Sequence, residues 1–71
     1  MLSLNREQKA RLGLELATCK QHHSDLDAAI KALIHSKQAD SMVIARLKKH
    51  KLTLKDRIVE LEKLLLPDII A

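Results

Sequence analysis

Cys19, His22 and His23 fall at i, i+3 and i+4, so on a helix they share one face. A thiol and two imidazoles are zinc-donor types, and His50 on a second helix could add a fourth ligand. The same thiol and imidazole could also act as nucleophile and base. Both readings are weak. Cys19 and His23 occupy positions of an apolar repeat, where cysteine commonly serves as a small buried hydrophobe. Nucleophilic catalysis further requires a pocket, an oriented third group and an oxyanion donor. The expectation is a chain with no catalytic residue, no bound metal and no cofactor, which is not an enzyme.

A second candidate chemistry is anion binding. The stretch ARLKKHKLTLKDRI, residues 45–58, holds Arg46, Lys48, Lys49, Lys51, Lys55 and Arg57 against Asp56 alone. The whole chain is +4, so the remainder sums to −1 and the positive charge is local. Local excess favours an acidic partner: nucleic acid, an anionic membrane or an acidic protein surface. Placement on a helix argues otherwise. At ~100° per residue, Lys51 lies on the apolar seam with Lys48 and Lys55 beside it. Arg57 flanks the other side, Lys49 is at the back and Arg46 lies toward it. With no Phe, Tyr or Trp there is no aromatic platform for stacking bases. The alternative to an interaction module is a small basic accessory factor that binds nucleic acid or the ribosome through residues 46–57, and such binding is expected to be non-specific at most.

The elements that position these residues follow from composition and spacing. Seventy-one residues make at most one domain, and one this small buries little of its surface. One cysteine excludes an internal disulfide framework. No run approaches the ~18 apolar residues that suggest a membrane span, and the N-terminus lacks a signal-peptide pattern. A cytoplasmic protein is expected. One Gly and one Pro amid abundant Leu, Lys and Ala indicate helix.

Two tracts carry a 3-4 apolar repeat. Leu12, Leu16, Cys19, His23, Leu26, Ile30 and Leu33 form one; Ile44, Leu47, Lys51, Leu54, Ile58, Leu61 and Leu65 form the other. Both are a/d seams. Between them the seam positions would be Lys37 and Asp40, both charged, so the phase continues while the apolar character lapses. Phase alone permits a single long helix or two helices linked through residues 36–41. Composition leans toward the folded-back chain, which buries its own seam. Asn5 is a plausible N-cap with Gln8 as its reciprocal partner, and Asp40 or Ser41 can cap the second helix. Gly13 weakens the first helix near its start. Pro67 stops the second near Leu66.

Folding between residues 38 and 39 places on one level the positions whose numbers add to roughly 77. Leu16 then meets Leu61 and Ile30 meets Leu47. The two polar seam residues, His23 and Lys51, fall within a turn of each other, and Asp27 is nearly level with Lys51. His23, Asp27 and Lys51 thus form a candidate polar layer, which costs stability but can set register.

The strings His23-x-x-Leu26-Asp27-x-x-Ile30 and Ile44-x-x-Leu47-Lys48-Lys49-x-Lys51-Leu52-x-Leu54-Lys55-Asp56-x-Ile58 resemble the YdcH-like family of short bacterial proteins, a domain of unknown function. The resemblance covers roughly residues 20–62. It implies a helical hairpin, so it selects between the two structures that phase left open. It implies no catalytic residue and no cofactor.

The expectation is an all-α, single-domain antiparallel hairpin over 1–71, with helix 1 at about 5–35, a turn at about 36–41 and helix 2 at about 41–66. Ala45, Leu52, Val59 and Leu66 repeat every seven residues, each one past a seam residue, and Leu64, Ile69 and Ile70 lie nearby. One seam cannot cover them all. They predict a homo-oligomer, in the form of a dimeric four-helix bundle or coiled-coil assembly, or docking to a partner protein.

Overall fold

A computed structural model describes residues 4–37 and 40–65. Two helices are present: α1, Arg6–His35, and α2, Ser41–Leu65. They pack antiparallel as a hairpin in a rod about 50 Å long. The chain therefore folds back, and no continuous helix runs through residues 30–50.

Each helix end follows from its sequence. Asn5 caps α1 with a reciprocal box: the Gln8 N–H donates to Asn5 Oδ1 at 2.8 Å, and the Asn5 N–H donates to Gln8 Oε1 at 3.0 Å. Gly13 causes no break, and α1 runs unbroken through it. At the C-terminal end the Ser36 N–H and hydroxyl both donate to the Leu33 carbonyl. Lys37 then turns the chain out of the helix with φ of 61°, a left-handed conformation usually left to glycine or asparagine. Of the two candidate caps for α2, Asp40 takes the role. Its carboxylate accepts the Met42 N–H at 2.8 Å, and its carbonyl accepts the Ile44 N–H. Gln38, Ala39, Leu66 and Pro67 lie outside the described residues.

The two seams face each other. All fourteen seam positions are buried or half-buried, including polar His23 and Lys51. Cys19, Ile58 and Leu61 form the tightest cluster, with Leu12, Leu16 and Leu54 packed against it. Ile30 is buried nearer the turn. Cross-helix ion pairs confirm the level assignment: Asp27–Lys51, Glu15–Arg57 and Lys20–Glu62 have residue numbers adding to 78, 72 and 82. These values bracket 77, so register is right to within about a helical turn.

Candidate interaction surface

Once the seams are closed, the residues on either side define two flanks. Residues one position past a seam residue lie on one flank. On α1 these are Gly13, Ala17, Lys20, Ser24, Asp27, Lys31 and Ile34; on α2 they include Lys48, Leu52, Lys55, Val59 and Glu62. Residues one position before a seam residue lie on the other, including Glu15, His22 and Asp25 of α1 and Arg46, His50, Arg57 and Glu60 of α2. The ion pairs obey this division. Lys20 meets Glu62 at 3.7 Å on the first flank, and Glu15 meets Arg57 on the second.

On the first flank, Lys51 reaches from the seam to Asp27, Nζ to Oδ1 at 2.6 Å, while Lys31 approaches the other carboxylate oxygen at 3.1 Å. The hydrogen bond from Lys51, reinforced by Lys31, holds the Asp27 carboxyl below its ordinary value despite partial desolvation. Two of the three residues expected in a polar layer are thus in direct contact. His23 sits beside them, half-buried, in a shallow open groove of about 320 Å³ lined by His23, Lys48, Lys51, Leu52 and Lys55.

On the second flank, Arg57 holds Glu15 in a two-pronged pair, Nε to Oε2 at 2.7 Å and Nη2 to Oε1 at 2.9 Å. Its remaining nitrogen donates to Glu60. The guanidinium lowers the Glu15 pKa, and the two carboxylates keep Arg57 firmly protonated. Sequence reasoning placed Arg57 among the anion-binding candidates and missed this clamp. The signal was available: Glu15 and Arg57 each precede a seam residue, and their numbers add close to 77.

The cysteine and histidines are divided by the fold. Cys19 is buried in the core. His22 and His50 line a groove of about 240 Å³ on the second flank with Asp25 and Leu26, whereas His23 faces the first. Among the described residues, no three His, Cys, Asp or Glu side chains are placed to share a metal.

The basic run is sorted in the same way. Lys51 and Arg57 are bound to carboxylates of α1. Arg46, Lys48, Lys49 and Lys55 make no ion pair among the described residues. Read on α2 alone the bases surround the helix; in the hairpin, Lys48, Lys51 and Lys55 share one groove.

Three of the exposed large apolar residues lie on that same flank, while Val43 lies on the other and Leu14 and Met42 face away from both. Leu52 is 61% exposed, Val59 37% and Ile34 53%. Leu64 is also exposed but lies seven residues beyond Arg57, on the other flank. Leu66, Ile69 and Ile70, expected to extend the apolar surface, lie outside the described residues. No described helix is long and apolar enough to cross a membrane.

Fold and surface define a two-helix hairpin module whose side-chain ladders are spent on holding the hairpin closed. The chain belongs to the family described as protein of unknown function DUF465, the YdcH-like family, which it matches over residues 16–66. That span starts at the second seam residue of α1 and leaves out its capped first turns. No curated protein and no solved structure matches the chain.

Proposed function

We propose that this hairpin is a non-enzymatic interaction module that self-associates through α2 and docks to a partner protein. The observation carrying this reading is the exposure of Leu52 and Val59, one heptad apart, on a helix whose own seam is already covered. Burying a Leu or Val fully is worth ~1.5–3 kcal/mol, so a few such residues from each of two copies are a substantial driving force. A chain of this size also gains more from association than a larger one, because its own core is small. The Leu52–Val59 line points in sequence toward Leu66, Ile69 and Ile70, which would extend the contact into a dimeric four-helix bundle. The non-enzymatic reading is supported by the open, shallow form of both grooves and by the burial of the thiol. Within the hairpin, Asp27 and Lys51, with His23 beside them, would set register, since a shifted alignment separates the pair. The test of self-association is the double change Leu52→Lys with Val59→Lys. Light scattering should show an assembled parent chain and a folded, monomeric variant. A variant that assembles like its parent would remove the surface from consideration.

A further inference from the structure

We infer that the groove formed by His23, Lys48, Lys51, Leu52 and Lys55 is a docking site for an acidic amphipathic helix of another protein. This rests on the interaction-module reading and names the chemistry of its partner. Charge is the first argument. The groove's flank gathers Lys20, Lys31, Lys48, Lys51 and Lys55 from both helices against Asp27 and Glu62 alone. The opposite flank balances Arg11, Arg46 and Arg57 against Glu15, Asp25 and Glu60. The hairpin is therefore electrostatically two-sided, and its positive side carries Ile34, Leu52 and Val59.

Among the described residues a second copy has one carboxylate, Asp56, that makes neither an ion pair nor a hydrogen bond, too few for the three lysines of the groove. Glu7, Glu15, Asp27, Glu60 and Glu62 are all engaged in ion pairs of their own hairpin. Asp40 is held at the α2 cap and Asp25 by Gln21. Two copies centred on this groove would bring lysines toward lysines. Self-association along the Leu52–Val59 line therefore leaves Lys48, Lys51 and Lys55 uncovered, and Leu52, at the border of the groove, is shared between the two contacts.

The shape of that chain follows from spacing. Lys48 and Lys55, which make no ion pair among the described residues, stand seven residues and about 10 Å of helix axis apart, on either side of Lys51, which Asp27 holds. A helix with Glu or Asp at the same spacing presents its carboxylates over the same length, and an apolar side chain on its next row meets Leu52. On the α1 side the flank carries the small Ser24 level with the groove, beside Asp27. A third helix can approach there. A nucleic-acid backbone matches the lysines but leaves Leu52 and Ile34 against a polyanion, so the apolar exposure favours protein.

The experiment is fluorescence anisotropy with a labelled synthetic helical peptide bearing Glu at alternating three- and four-residue spacing beside a row of Leu. A scrambled peptide of the same composition and a short DNA duplex are the comparison probes. Lys48→Glu with Lys55→Glu should weaken helical-peptide binding at least about tenfold, as should scrambling the peptide. Leu52→Gln should weaken it several-fold. Arg46→Glu with Lys49→Glu changes net charge equally, outside the groove, and should stay within about twofold. Neither charge-reversal pair disrupts an ion pair of the hairpin, and circular dichroism checks that both fold. Equal loss in both pairs, equal binding of the scrambled peptide, no binding of the helical peptide, or tighter groove-dependent binding of the duplex would each overturn the proposal. Light scattering on the same samples keeps it separate from self-association: the Lys48/Lys55 variant should retain the parent's mass.

Discussion

Leu61 is the most deeply buried large side chain described, at 0% exposure, and packs in the cluster with Cys19 and Ile58. Leu61→Ala removes three carbons from a site with no access to water. Leu→Ala in cores costs ~2–5 kcal/mol, the transfer term plus whatever cavity remains. A two-helix layer is thin and its neighbours can close partly on the gap, so about 3 kcal/mol is expected. Domains are stable by roughly 0.05–0.15 kcal/mol per residue, which for this chain is about 4–10 kcal/mol. The substitution should thus remove roughly 30–75% of total stability. With a urea slope near ~1 kcal/mol per molar for a small domain, the midpoint should fall by about 3 M. Leu14→Ala is the control. Leu14 is 70% exposed on α1, and its replacement should cost no more than ~0.5 kcal/mol. Circular dichroism at 222 nm, at one fixed protein concentration, reads both. Equal losses at Leu61 and Leu14 would refute the packed seam and with it the hairpin as the stability-determining unit.

Further outcomes follow from the ion pairs and caps. Asp27 and Glu15 have folded pKa values lowered from ordinary values of 3.8 and 4.5 by Lys51 and Arg57 respectively. Their contribution is therefore present above those values and lost as pH falls through the lower, folded ones. The thermal midpoint should be flat down to about pH 5 and drop below about pH 4; a midpoint unchanged at about pH 2.5 would show that these pairs contribute nothing. Exchanging the partners, Asp27→Lys with Lys51→Asp, should restore much of the thermal midpoint lost by either single change, whereas additive losses would deny a specific layer. Lys37→Gly should stabilise by about 0.5–1 kcal/mol, because glycine adopts the left-handed turn conformation freely; a loss of stability would mean that the turn conformation is different.

Much of the fold is legible in the sequence because a 3-4 apolar repeat has one physical use. Leu12 to Leu33 and Ile44 to Leu65 must be covered, and Asn5, Ser36 and Asp40 mark where the helices begin and end. Phase alone did not show that the chain folds back, since it runs unbroken through Lys37 and Asp40. The Asp27–Lys51 contact was visible once both were placed on one level. The Glu15–Arg57 clamp is hidden when charge is read along α2 by itself, where Arg57 is one base among six. Whether a lysine is free or bound depends on what the facing helix brings to its level. The same step, from one helix to two, turns scattered bases into a groove at Lys48, Lys51 and Lys55. The metal-like spacing of Cys19, His22 and His23 misleads for the converse reason: i+3 and i+4 neighbours are separated once the seam between them is filled.

On the reading proposed here, the exposed face of α2 is covered by another chain, in the first instance by a second copy. Sedimentation equilibrium on the unmodified protein at ~100 µM, within the micromolar-to-millimolar range where exposed apolar surface associates, tests it directly. The expected result is a mass of twice the 8.0 kDa chain or a higher multiple, falling on dilution. A mass of 8.0 kDa throughout would contradict self-association.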